Sequence, residues 1–240
     1  MKIKKLISAL VLGSMLVGLS GCNITDFSAE NLLRPPKAVG DEAEIEQLIA
    51  KTADSGYTLK YPKNGKFRSA IIMTDLDGND SNEAVAFFRN SDETSSVHML
   101  VMYSKDNSWE IASDNIFETT DIDSVDFADL TGNGKAEIIV NSTTYTPNVG
   151  KLSCYSYSEG KTTEVGSGQS CSSFVTGDFD NDGTSEIMSL VLYTTENEAL
   201  ASMLDYNEDS KSLYAKAMAN MDPNVVKYKN IAVTKLNNDI

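Results

Sequence analysis

Three stretches of the chain set oxygen-bearing side chains at alternate positions and then place a glutamate. They read DLDGNDSNE from Asp75, DLTGNGKAE from Asp129 and DFDNDGTSE from Asp178. Positions 1, 3 and 5 carry Asp, Asn or Thr, and position 9 is always Glu. An apolar, β-prone run follows each: Ala84–Phe88, Ile138–Val140 and Ile187–Tyr193. Purely oxygen donors crowded into nine residues suit a hard cation, and calcium takes roughly six to eight such ligands at flexible geometry. The starts lie 54 and 49 residues apart, so the motif recurs as part of a larger repeat rather than by chance.

The ligand sets follow from the spacing. The first loop offers Asp75, Asp77 and Asn79 side chains, the Ser81 carbonyl and Glu83. The second offers Asp129, Thr131, Asn133, the Lys135 carbonyl and Glu137. The third offers Asp178, Asp180, Asp182, the Thr184 carbonyl and Glu186. Carboxylate count ranks the third strongest, the first intermediate and the second weakest. Position 6 calls for positive φ, which Gly134 and Gly183 adopt freely and Asp80 adopts at some cost.

Two other readings compete. An EF-hand loop places its last acid at position 12 and runs into a helix; here the acid is at position 9 and β-branched or aromatic residues follow. Ion-free turns capped by their own carboxylates are the second. Against them stands the repulsion among Asp178, Asp180, Asp182 and Glu186 packed into one turn.

The elements that would hold these loops are strands. Asp41 can cap a short helix, predicted over 41–56, with Glu42 and Glu44 at its positive end and Ile45, Leu48, Ile49 and Thr52 on one face. From Tyr57 the period changes to two, with Tyr57–Tyr61 before a turn at Pro62-Lys63-Asn64-Gly65. Strands are predicted at Ser69–Thr74, Glu83–Phe88, Val97–Tyr103 and Trp109–Ala112; then Val125–Ala128, Glu137–Ser142, Lys151–Tyr157 and Thr162–Val165; then Ser173–Gly177, Glu186–Thr194, Ala199–Asn207 and Leu213–Met218. Four antiparallel strands in about fifty residues is the period of a β-propeller blade. The expected fold is all-β, with blades near 67–118, 119–169 and 170–222 and the start of a fourth at 223–240, after one short N-terminal helix.

D-x-D-x-D-G-x-x-E between two strands resembles the FG-GAP/VCBS-type calcium repeats of integrin-like β-propellers, over Ser69 to the C-terminus. The resemblance implies that each loop joins a blade's first two strands and that its calcium is mainly structural. Asp80 at the glycine position and Thr131 at position 3 depart from the pattern. A fourth copy starts at Lys235, where Lys replaces the first acid and Ile240 falls at position 6. An ammonium can stand in for the ion there. Three blades and one strand do not close a ring, which takes about four or more. Either the chain is a fragment of a longer protein, or the strand at Tyr57–Tyr61 and a partner complete the structure.

The N-terminus carries its own chemistry. Lys2, Lys4 and Lys5 precede an apolar run from Leu6 to Val17, and Leu19-Ser20-Gly21-Cys22 resembles a bacterial lipobox. Residues 1–21 then form a lipoprotein signal peptide, Cys22 takes the lipid, and 22–40, with Arg34-Pro35-Pro36-Lys37, form a tether. The lipobox, the Pro-Pro stretch and the short helix together are similar to bacterial cell-surface lipoproteins with VCBS repeats. Removing the signal takes away three of the 20 basic residues and none of the 35 acids, so the formal charge moves from −15 to −18. Such a chain repels nucleic acid and anionic lipid, and only a covalent lipid would hold it at a membrane.

Catalytic patterns are sparse. His98 is the single histidine, placed on a strand, and neither a nucleophile elbow nor a zinc motif occurs. Cys154 and Cys171 can form a disulfide outside the cytosol or remain as two buried thiols. The expectation is an extracytoplasmic, lipid-anchored calcium-binding scaffold that binds a protein or glycan. A surface hydrolase, for instance a carbohydrate-active one, or its accessory domain is the alternative, since paired carboxylates are plentiful.

Overall fold

The computed structural model describes residues 40–53, 56–146, 148–193 and 198–215. The expected signal segment, Cys22, the expected tether and the expected fourth loop copy from Lys235 lie outside these residues. Helix α1 spans Asp41–Thr52, with Asp41, Glu42 and Glu44 in its first turn and Lys51 in its last. Its N-cap is Gly40, with no capping side chain, so Asp41 is the first helical residue and not the cap. The Ala53 N–H closes the helix on the Ile49 carbonyl at 2.9 Å.

Among the described residues thirteen strands follow: β1 (Tyr57–Leu59), β2 (Ile71–Thr74), β3 (Glu83–Asn90), β4 (Val97–Lys105), β5 (Ser108–Phe117), β6 (Ile122–Ala128), β7 (Glu137–Thr143), β8 (Gly150–Ser158), β9 (Lys161–Cys171), β10 (Ser173–Gly177), β11 (Glu186–Tyr193), β12 (Glu198–Asn207) and β13 (Ser212–Ala215). They form three antiparallel sheets. The second runs β6-β7-β8-β9 and the third β10-β11-β12-β13, each a meander of four. In the first, β4 and β5 continue from β3, while β1 and β2 share β3's other edge. Leu59 pairs with Phe88 and Ile71 with Ala86, so β1 and β2 lie end to end. The fold is all-β with one short helix, as expected. Tyr57–Leu59 lengthens the first sheet's edge and supplies no further blade.

Tight hairpins suit the strand twist. Asp106-Asn107 and Glu159-Gly160 both have positive φ at their two residues, as a two-residue turn of the primed type requires.

Alternation decides how the sheets stack. Val85, Phe87, Val97, Met99 and Val101 meet Val125, Ile138, Val140 and Tyr155 in one core, between the first and second sheets. Ile139, Leu152, Cys154 and Cys171 meet Ile187, Leu204 and Leu213 in another, between the second and third. The first sheet's outer face, Ala84, Ala86, Phe88, Leu100, Met102 and Trp109, is covered by Ile45, Ile49 and Ala53. In a ring, that face would receive a neighbouring blade; here α1 occupies it, as capping elements do at the ends of repeat stacks. Among the described residues no helix is long and apolar enough to cross a membrane.

Cys154 and Cys171 are free, buried thiols in the second core. Burial raises the pKa of both, that of Cys171 to about 12.

Candidate metal centres

Each acidic loop joins the first two full strands of its sheet: β2 to β3, β6 to β7 and β10 to β11. All three share one hydrogen-bond skeleton. The position 9 carboxylate is buried and accepts the position 2 N–H at 2.8 Å: Leu76 to Glu83, Leu130 to Glu137 and Phe179 to Glu186. The position 1 carboxylate accepts N–H groups from the far side of the turn. Asp75 takes Gly78, Asn79 and Asp80; Asp129 takes Asn133 and Gly134; Asp178 takes Asp182 and Gly183. The position 5 Oδ1 accepts the position 7 N–H, from Ser81 to Asn79, Lys135 to Asn133 and Thr184 to Asp182. Position 6 has positive φ throughout, 65° at Asp80, 79° at Gly134 and 94° at Gly183. Position 4 does too, at Gly78, Gly132 and Asn181. With two left-handed residues in each turn, the alternate side chains converge.

Convergence is measurable in two loops. Asp178, Asp180, Asp182 and Glu186 each offer one carboxylate oxygen within 4.8 Å of all the others, and so do Asp75, Asp77 and Glu83. Two ligands of one calcium sit about 2.3–2.6 Å from it, so oxygens up to about 5 Å apart fit one ion. Asp77 adds a second sign, since its Oδ1 is buried without a hydrogen-bond partner. The residues present therefore fit a hard cation in the first and third loops, with Asn79 Oδ1 as an added oxygen in the first. The backbone carbonyls of Ser81, Lys135 and Thr184 lie on the same turns.

The second loop differs. Thr131 stands where the others have Asp, and its hydroxyl donates to Glu137 Oε1 at 3.2 Å. That bond supplies from within what a cation would supply from outside. Burial raises the Glu137 pKa, partly offset by the Leu130 N–H and the Thr131 hydroxyl. Burial also raises Glu83, with Asp77 and Asp75 adding repulsion and the Leu76 N–H opposing. A cation between these carboxylates would oppose the burial and repulsion in both loops.

The sequence did not reveal that the loops touch. The Ala136 N–H donates to the Leu76 carbonyl at 3.0 Å, and the Ser185 N–H to the Asp129 carbonyl at 2.8 Å. Position 8 of one loop thus binds position 1 or 2 of the loop before it. The apolar residue at position 2 was the available sign: Leu76 and Leu130 are buried and fix the turn from beneath. Thr176 on β10 also donates to Asp126 on β6 at 2.6 Å.

His98 on β4 is buried away from these loops. Its Nδ1 faces both Asp114 oxygens at 2.9 Å, its Nε2 faces Glu93 at 3.0 Å, and its ring stacks on Phe88. The Ser96 hydroxyl, and then His98, hold the Glu93 carboxyl below its ordinary pKa. The cluster ties the β3–β4 connection to β5. The chain matches no family model, no curated protein and no solved structure.

Proposed function

We propose that the protein is an extracytoplasmic scaffold, held to a bacterial membrane by lipid on Cys22, that binds a protein or glycan and uses calcium as a structural fastener. The observation that carries the calcium part is the convergence of Asp178, Asp180, Asp182 and Glu186 on one point at the β10–β11 junction. Asp75, Asp77 and Glu83 repeat it at β2–β3. An ion there would hold the first two strands of each sheet together and neutralise a strongly acidic chain, and the redundancy of three loops suits a fastener better than a reaction centre. The order of affinity is third, first, second. The anchoring part rests on the lipobox-like Leu19-Ser20-Gly21-Cys22.

Calcium titration calorimetry and thermal melts test the metal. With sites of about 10⁻⁴ to 10⁻³ M, near-millimolar calcium adds on the order of 0.4–1.4 kcal/mol per site. Chelation then lowers the melting temperature, and magnesium at equal concentration restores less. A melting temperature that ignores both calcium and excess chelator refutes the metal. Cell fractionation of Cys22→Ala tests the anchor: the variant leaves the membrane fraction, and its retention there refutes lipid attachment at Cys22.

A further inference from the structure

We propose that the cleft at the end of the second and third sheets opposite the acidic loops binds a neutral saccharide. This inference rests on the surface-binder reading above and names its ligand class. The cleft has a volume of about 420 Å³, within the range of small-molecule sites, roughly 300–1,000 Å³. Its walls come from separate segments: Asn64 before β2, Asp123 on β6, Asn141 on β7, Thr146 in the β7–β8 turn, Ser173 on β10 and Leu192 on β11.

Three features make it a built site. First, Asn141 is 1% exposed, and its Oδ1 has no hydrogen-bond partner. Its Nδ2 lies 3.4 Å from Asp123 Oδ2. Flipping the amide would bring its oxygen against that carboxylate, so the orphan is an acceptor that lacks a donor. Second, Asp123 is the extra residue of a bulge, since Ile122 pairs with Ser142 and Ser124 with Asn141. Bulges re-aim side chains, and Asn64 Nδ2 holds the Asp123 carboxylate at 2.9 Å. Third, Gly150 admits no side chain, because a Cβ there would lie 2.2 Å from Asn141 Oδ1 and 2.7 Å from the Ser142 carbonyl.

The chemistry of the walls selects the ligand. By residue type hydroxyls and amides predominate, with Val149 and Leu192 as apolar patches. The two charged lining groups, Lys63 and Asp123, cancel, and Lys63 already pairs with Asp121 at 3.1 Å. Neither a phosphate nor a carboxylate finds a net counter-charge. A polyol presents O–H donors to Asn141 and Asp123 and C–H faces to Leu192. Tyr145, 92% exposed, stands in the chain between lining residues Thr144 and Thr146, and under this proposal its ring stacks on the bound sugar.

The test is calorimetric titration of the full lipid-anchored chain, in calcium and a sugar-free detergent, with a panel of neutral mono- and disaccharides. At least one saccharide binds saturably. Tyr145→Ala weakens it about tenfold without moving the melting temperature, and Asn141→Ala weakens it at least as much. If Asn141→Ala fails to fold, Tyr145→Ala decides. No binding across the panel overturns the proposal. Binding that survives Tyr145→Ala also overturns the cleft as its site, while leaving the surface-binder reading in place. That reading fails separately, through Cys22 or calcium.

Discussion

Gly132→Ala tests whether consecutive loops pack on one another. Gly132 sits at position 4 of the second loop with φ of +70°, and a Cβ there would lie 2.6 Å from Thr184 Cγ2 in the third loop. Ordinary carbon contacts are about 3.5–4.0 Å, so one loop must shift by about 1 Å. The left-handed backbone costs alanine about 1–2 kcal/mol, and overpacking adds about 1–3 kcal/mol. The single variant should therefore lose about 3 kcal/mol. Thr184→Ser removes the offending methyl, keeps the hydroxyl that donates to Asp182, and costs under about 1 kcal/mol by itself. In the double variant only the backbone cost remains, so a cycle should return about 1–2 kcal/mol of favourable coupling. Urea unfolding followed through Trp109, the single tryptophan, reads all four species, at saturating calcium and again with chelator. Additivity within about 0.5 kcal/mol would refute contact between the loops, and coupling seen only with calcium would mean that the ion creates the contact.

Ile49→Ala should cost about 2–5 kcal/mol, because Ile49 is fully buried against the first sheet; hydrogen exchange should rise along β3 and β4 before the other sheets, and uniform exchange would count against docking there. Asp121 accepts Lys60 at 2.9 Å and Lys63 at 3.1 Å. Burial opposes its charge, yet the two lysines together hold its pKa below the ordinary value. A lowered carboxyl pKa contributes stability above the unfolded value and loses it as pH falls through the folded one. Asp121→Asn should thus cost up to about 1 kcal/mol near pH 7, and the cost should fade as pH falls through the folded pKa; a difference that persists once the carboxyl is protonated in both states would refute the pairing. Cys154 and Cys171, both buried, should ignore a thiol reagent in the native state and react with two equivalents after unfolding.

Strand positions were legible because alternation and turn residues agree along most of the chain. Ser173–Gly177 matches in full, and β3, β4, β7 and β8 differ from their expected bounds by at most two residues. The failures share one cause. The expected strands stopped at Ala112 and Val165, yet β5 continues to Phe117 and β9 to Cys171. Val101 pairs with Ser113 and Met102 with Ile111, so Ala112 is the extra residue of a bulge. Cys154 pairs with Gly166 and Tyr155 with Glu164, which makes Val165 another. A bulge reverses the inside-outside alternation, and a period-two reading ends there. Asp123, the third case, explains why β6 was expected to begin at Val125.

The loops were legible residue by residue, since their chemistry is local. Their contacts with one another were not, because the Ala136–Leu76 and Ser185–Asp129 bonds span about fifty residues or more. The cleft was invisible for the same reason. It draws its walls from strands and turns far apart in the chain and depends on an orphan amide oxygen that no spacing encodes.

The helix over the first sheet bears on what happens when many copies meet at a crowded surface. Like sheets pack face to face, so a bare outer face on the first sheet would accept a sheet of a second molecule as readily as its own neighbour. Such a head-to-tail contact does not close and propagates as a filament. With Ile45 and Ile49 seated on that face, polymerisation through it is blocked at one end of every molecule, and a head-to-tail contact needs both. One turn of helix removed, or Ile49 made small, should therefore give a protein whose association grows with concentration.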